Sequence, residues 1–348
     1  MEQVKIGVVG AGRMGQRHCR IYSNLRRVQL AGICDALPQV GEPVARQYDA
    51  PFYGQLDDLL AQVDAVSLVV PTPRHFDLAL RCLERGAHVL IEKPIAETLE
   101  QAERLAEAAE AGGLVVLVGH VERFNSAYME LKNVLEEMTA LAVNFRRLSP
   151  YEGSNLDVDV VLDLMTHDTN LVLDLMQQEP IAVHAYGLTA FSGTIDHAVA
   201  QLRFESGPLV TLTASRVTEQ KIRSIEVTAR EAYLECDLLN KSILAHRHTI
   251  GEYLSQSQRG TKYRQESIVE RIQVPILEPL FLELQHFVEC VLEHKAPWVS
   301  ARDGLAALRL AMLVRETIAA HLDDTKSNLS PLPRGRGRPP CPRFRGEA

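Results

Sequence analysis

The sequence predicts an α/β protein in two parts: a doubly wound parallel sheet, then an α+β domain built on a mostly antiparallel open sheet. Three observations carry that expectation. Through roughly the first 120 residues, near-continuous Val/Ile/Leu runs alternate with amphipathic stretches, as a parallel sheet covered on both faces requires. Beyond Glu122, alternating and β-branched runs follow one another with few helices between them, the pattern of an antiparallel sheet with its helices held to one side. The chain's 348 residues also exceed what one hydrophobic core usually serves. We therefore read residues 1–121 as a dinucleotide-binding domain, 122–322 as a substrate and oligomerisation domain, and 325–348 as a tail.

In the first part KIGVVG is the opening strand, RMGQRHCRIYSNL the first helix and VQLAGICD the second strand. AVSLVV, HVLIEK and LVVLVGH are further strands, with HFDLALRCLERG and LEQAERLAEAAEAGG as the helices between them. In the second part SAYMELKNVLEEM and NLDVDVVLDLMTHDTNLVLDLM are helical patterns on either side of a strand, ALAVNFRRL. IAVHAYGL, HAVAQLRF, LVTLTASRV, SIEVTA, AYLECDLL and SIVERIQV read as strands, and Glu205-Ser206-Gly207 as a hairpin loop. Two helices, EPLFLELQHFVECVLEH and RDGLAALRLAMLVRETIAAHL, close the folded part. From Thr325 the chain is Pro, Gly and Arg without apolar periodicity, six basic residues against one acid. Such a segment buries too little surface to order itself and reads as a disordered, solvated tail.

Composition narrows the partners. With 46% hydrophobic and 24% charged residues and a net charge of -8, the chain has no general electrostatic reason to bind nucleic acid or an anionic membrane. No apolar segment approaches the roughly 20 residues of a membrane span, and the N-terminus reads as a first strand rather than a signal peptide. The six cysteines lie far apart with no Cys-x-x-Cys, which suits neither a disulfide framework nor a zinc site. Alternate histidines in AHRHT (His246, His248) lack an evident third ligand, so no metal is expected. A small solute and the cytoplasm are the expectation.

Four constellations could carry chemistry. VVGAGRMG places Gly10, Gly12 and Gly15, with Arg13 and Met14 between them, directly after a strand and at the start of a helix. Glycines there permit a tight turn and close approach to a pyrophosphate, while the helix N-terminus turns N–H groups toward the anion. Asp35 ends the second strand 20 residues after Gly15, where an acid takes adenosine ribose hydroxyls and favours NAD over NADP. Arg13 leaves NADP open. The second constellation is Pro71, Thr72 and His75 in PTPRH, which reads equally as part of a ligand edge and as a stiff strand-to-helix turn.

The third, HVLIEKP, delivers Glu92 and Lys93 to the carboxyl edge of the sheet, where open α/β folds bind ligands. A partly desolvated lysine loses proton affinity and can exchange protons with a hydroxyl near neutral pH; the alternative is a solvated strand end. In the fourth, VLDLMTHDTNLVLDL, Asp163 and His167 share one helix face with Asp168 beside them. A histidine flanked by carboxylates suits acid/base work on a secondary alcohol; the alternative is an ordinary surface pair.

Taken together, GAGRMG, PTPRH, EKPI, GHVERFN and DLMTHD resemble the Gfo/Idh/MocA oxidoreductase family, in order, from about Val4 to Leu322. The resemblance implies a Rossmann domain carrying NAD(P) and a C-terminal domain whose open sheet joins copies of the chain into a homo-oligomer. It implies that Lys93 contacts cofactor and substrate hydroxyl, that His167 is the acid/base group and that Asp163 orients the pair. GHVERFN, RRLSPYEG and the closing helices look most like the family's UDP-N-acetylglucosamine 3-dehydrogenase branch. That likeness makes Arg123, Asn125, Arg147 and Tyr151 the substrate-pocket candidates, with a sugar or UDP-sugar as substrate and inositol or simple-sugar oxidation as the neighbouring possibility. A non-catalytic dinucleotide-binding regulator would keep the glycines and dispense with Lys93 and His167.

Overall fold

The computed structural model describes residues 3–151, 158–249, 255–257, 260–262 and 266–325. The segment 326–348, which holds nearly all of the basic tail, lies outside them. The N-terminal sheet is built from β1 (Val4–Val9), β2 (Val28–Cys34), β3 (Phe52–Tyr53), β4 (Ala65–Leu68), β5 (His88–Glu92) and β6 (Val116–Gly119). Its order is β3-β2-β1-β4-β5-β6 with every pairing parallel. The order reverses beside β1, the switch point at which such sheets open a ligand crevice.

Helices α1 (Arg13–Tyr22), α2 (Pro38–Gln47), α3 (Leu56–Leu60), α4 (His75–Glu84) and α5 (Leu99–Gly112) connect these strands. The continuous apolar runs are buried as expected: Ile6, Val8, Val66, Leu68, Val89, Leu90 and Ile91 lie in one core. Local signals set the helix ends. The Thr98 hydroxyl accepts from the Gln101 amide at the start of α5, and Gly113, in the left-handed region at φ 61°, ends it.

The second sheet has eight strands. Beyond α6 (Ser126–Leu135) and β7 (Ala140–Leu148), a π-helical turn (Val161–Met165) leads into α7 (Thr166–Met176). Next come β8 (Ala182–Leu188), β9 (His197–Arg203), β10 (Leu209–Ser215), β11 (Ile222–Ala229), β12 (Tyr233–Asp237) and β13 (Ser242–Thr249). A short ribbon, β14 (Ser255–Ser257) with β15 (Gly260–Lys262), precedes β16 (Glu266–Ile272). The order is β16-β13-β12-β11-β7-β10-β9-β8, antiparallel except where β7 meets β10. The hairpin expected at Glu205-Ser206-Gly207 joins β9 to β10, with Gly207 at φ 103°.

Two closing helices, α8 (Pro279–Glu293) and α9 (Ala301–Thr325), reach back to the first sheet. Leu280, Leu284 and Phe287 of α8, with Ala301, Leu305 and Leu308 of α9, belong to the N-terminal core. Leu310, Ala311, Val314 and Ile318, further along α9, belong to the core under the second sheet. The carboxyl edge of the first sheet, the N-terminal end of α7 and one end of β7 and β11 thus face a common region.

Candidate active site

The glycine turn is a backbone cradle. Gly10 sits at φ 98°, and a Cβ there would stand 2.5 Å from the Val69 carbonyl oxygen. A Cβ on Gly15 would meet the Gly10 carbonyl oxygen at 1.9 Å, so α1 can lie this close to the turn only with glycine. Around Gly12 nothing stands within 4 Å, so the space above the helix N-terminus is open to a phosphate group. Asp35 closes the side of the cradle: its carboxylate accepts from the amides of Ala11 at 2.7 Å and Leu37 at 2.9 Å. Arg13 is exposed and Met14 half-buried at the start of α1. These residues fit a dinucleotide by shape and by donor set.

The PTPRH loop lies beside the cradle. Pro71 is exposed and Thr72 half-buried, whereas His75 is buried and its Nδ1 and Nε2 face the carbonyls of Pro94 and Val70 at 2.8 and 2.9 Å. His75 therefore ties this loop to the one that carries Lys93. The Lys93–Pro94 peptide bond is cis.

Lys93 leaves β5 and crosses to the second domain. Its Nζ donates to the Asp163 carbonyl at 2.7 Å and stands 3.6 Å from the Asp163 carboxylate. Asp163 lies in the π-helical turn, where the widened helix shifts side chains off the regular spacing. The Thr166 hydroxyl donates to the carbonyls of Val161 and Leu162 and steadies that turn. Asp163 therefore serves the lysine rather than the imidazole four residues on, whose Nδ1 has no partner. Burial draws the Lys93 ammonium below its usual pKa, against the opposing pull of Asp163 and Glu92. Yet its side chain remains 18% exposed.

His167 stands in the same field. Burial, then the charges of Lys93 and Arg147, hold its pKa well below the ordinary value, so the ring is neutral. A second imidazole joins it that sequence reasoning passed over. Gly119 of β6 pairs with Glu92 of β5, so His120 leaves its strand alongside Lys93. His120 is 1% exposed, its Nδ1 also lacks a partner, and burial with Lys93 and Arg123 lowers its pKa to about 3. The signal was present in the sequence: two aligned parallel strands ended in Glu-Lys and Gly-His.

The remaining pocket candidates are mostly engaged in the protein itself. Arg147, 3% exposed, grips Asp168 with Nε and Nη2 at 2.7 to 3.0 Å and Glu122 with Nη1 at 2.9 Å. Burial opposes its charge, but Asp168 and Glu122 outweigh burial and hold the guanidinium above its usual pKa. Arg123 turns to Asp174 at 2.8 Å and to the Trp298 carbonyl at 3.1 Å. Asn125 caps α6 through the Ala127 amide and donates to Glu122 and the Leu238 carbonyl. Tyr151 is exposed beside Phe191.

Behind Lys93 lies a buried polar group of another kind. The Glu92 carboxylate accepts weakly from the Lys93 amide at 3.3 Å, while its other oxygen faces His18 Nε2 at 3.4 Å without the alignment of a hydrogen bond. Glu283 of α8 is fully buried with neither carboxyl oxygen partnered. Burial, then the Glu92 charge, raises its pKa well above the carboxylate range. Among the described residues no group of His, Cys, Asp or Glu could hold a metal ion, and no helix is long and apolar enough to cross a membrane.

The chain is similar to known proteins over most of its length. Residues 4–120 match the family model described as the oxidoreductase family with an NAD-binding Rossmann fold, and residues 137–235 match the GFO/IDH/MocA C-terminal domain. A UDP-N-acetylglucosamine 3-dehydrogenase of Acidithiobacillus ferrooxidans is 30% identical over 92% of this chain and 99% of its own. A structure of that enzyme superposes with a TM-score of 0.84 over the same shares. A scyllo-inositol 2-dehydrogenase (NAD(+)) of Bacillus subtilis is 27% identical over 89% of this chain and 92% of its own. The scyllo-inositol dehydrogenase of Lactobacillus casei, solved with NAD(H) and scyllo-inositol, shares the fold at 20% identity and a TM-score of 0.74, covering 92% of this chain and 98% of that one.

Proposed function

The chain belongs to the Gfo/Idh/MocA oxidoreductase family, and from that premise we propose that it oxidises a secondary alcohol of a nucleotide sugar, as a UDP-N-acetylglucosamine 3-dehydrogenase. The convergence of Lys93 from the first sheet with Asp163, His167 and His120 at its edge carries this reading. The 30% identical relative favours the nucleotide sugar over an inositol.

Gly10, Gly12, Gly15 and Asp35 would hold NAD, with Arg13 at the entrance as the residue that would admit NADP. When bound, the nicotinamide supplies the hydride acceptor. Lys93 donates to the reacting oxygen and polarises it, while Asp163 fixes the ammonium through both its carbonyl and its carboxylate. His167, neutral because burial and Lys93 disfavour its protonated form, accepts the hydroxyl proton. It is a weak base by itself, so developing negative charge on the substrate oxygen is what would raise its proton affinity in the reaction. His75 acts at one remove by holding the loop that carries Lys93.

The face of the second sheet turned away from its helices carries half-exposed Asn144, Val199, Thr211, Thr213 and Glu226. We place the contact between copies of the chain there. Among the described residues, the buried free cysteines Cys19, Cys34, Cys82, Cys236 and Cys290 suit a reducing compartment such as the cytoplasm.

The test is a nicotinamide absorbance assay with NAD or NADP against UDP-N-acetylglucosamine, free N-acetylglucosamine and myo-inositol. Turnover of the UDP-sugar with NAD is expected. Turnover of inositol alone would move the substrate assignment to the inositol dehydrogenases, and tight NAD binding without turnover of any alcohol would leave a regulator.

A further inference from the structure

Two arginines face each other at the end of the second sheet that borders the cleft. Arg147 of β7 and Arg223 of β11 are direct partners in an antiparallel pair, so their side chains rise from the same face. Both are nearly buried, at 3% and 9% exposure. Like charges opposed in this way destabilise a sheet. Arg147 is relieved by two carboxylates, Asp168 and Glu122. Arg223 has none within ion-pair distance among the described residues: it donates to the carbonyls of Leu148 at 2.5 Å and Ile222 at 2.8 Å and to the Ser149 hydroxyl at 2.9 Å.

Tying a strand end to its neighbour requires donors, which a glutamine supplies, but it does not require a charge. A buried cation without a counter-ion is costly. Burial and Arg147 lower the Arg223 pKa to about 10, against the pull of Asp168, Glu122 and Asp163, none of which comes within ion-pair distance. Its field reaches His167 and Asp163, so it borders the place where the substrate would react.

We propose that Arg223 is the substrate's anion reader: its guanidinium receives a phosphate oxyanion of the nucleotide-linked sugar, the part that Arg147 and Arg123, closed by Asp168, Glu122 and Asp174, have no free charge to bind. A guanidinium presents paired donors matched to phosphate oxygens and stays charged when desolvated. This rests on the nucleotide-sugar reading above and adds to it the group that makes the nucleotide matter.

The experiment uses the full chain with NAD, the variants Arg223→Gln and Arg223→Lys, and UDP as the calorimetric probe. Arg223→Gln keeps donors for Leu148 and Ser149, so its melting temperature should match the parent. It should weaken UDP binding and kcat/KM for UDP-N-acetylglucosamine by roughly 10- to 100-fold and leave NAD binding unchanged. Arg223→Lys should recover part of the loss. Should the glutamine variant fail to fold, the lysine variant decides alone, by weaker UDP binding with NAD binding intact.

Equal UDP affinity in parent and variants overturns the proposal while sparing the nucleotide-sugar reading. A parent that binds NAD but not UDP overturns both. Saturation by glucuronate in place of UDP would shift the site to a sugar carboxylate and overturn the phosphate assignment.

Discussion

The cradle around Gly10 and the wall formed by α7, β7 and β11 with the ends of β5 and β6 are built on opposite principles. The cradle is backbone: an open helix end, two glycines that admit no Cβ, and a carboxylate spent on amides. The wall is side chain: two neutral imidazoles, a lysine and two arginines, most of them buried, with carboxylates assigned unequally among them. A backbone site depends on conformation, which local sequence sets. A side-chain site depends on which charges meet, and only the tertiary fold sets that.

The sharpest way to break the comparison is to separate the two halves by function. Lys93→Met and His167→Ala should each lower turnover by roughly 100- to 10,000-fold with NAD affinity nearly unchanged. Gly12→Ala, where no atom of the protein obstructs a methyl, should fold normally and weaken NAD binding instead. Turnover rates paired with NAD titrations check both directions. A common loss of both properties would mean that wall and cradle are a single structural unit.

A smaller effect tests the unequal assignment of charge. Arg147→Gln strands Asp168 and Glu122 in a buried setting and should cost about 3–5 kcal/mol in urea denaturation, whereas the facing Arg223→Gln should cost far less. Equal costs would mean that the two guanidinium groups are held alike.

The smallest effect concerns pH. The folded-state pKa of Glu283 is raised by burial and the Glu92 charge, so its contribution to stability is full below the unfolded carboxyl pKa and is lost as pH rises toward the folded value. Compared with Glu283→Gln, the parent should lose stability across that window by up to about 1.4 kcal/mol per pH unit. Denaturation curves at several pH values measure it. Parallel slopes would show that Glu283 keeps one protonation state on folding.

The same division explains what was legible. The parallel sheet, the glycine turn, Asp35 and the emergence of Lys93 at the strand end follow from spacing and apolar runs, because each depends on neighbours within a few residues. The helix expected over NLDVDVVLDLMTHDTNLVLDLM proved instead to widen into a π-turn at Val161–Met165 before α7, and its first residues lie outside the described ones. Asp163 consequently meets Lys93, which no regular helix spacing would reveal. Nothing local marks Arg147 as paired and Arg223 as unpaired, since the deciding carboxylates come from Asp168 and Glu122, 21 and 25 residues away from Arg147. Arg123 and Asn125, though only two residues apart in GHVERFN, are drawn to Asp174 and to the α6 cap for the same reason.

One helix constrains how the cleft can move. At 25 residues, α9 is about 37 Å long, and its two halves are embedded in different cores. It is a rod common to both halves of the molecule, so any change in the gap between lysine and imidazole works against a shared, continuous element. Melting the rod would remove footing from both halves at once, which ties the stability of one sheet to that of the other.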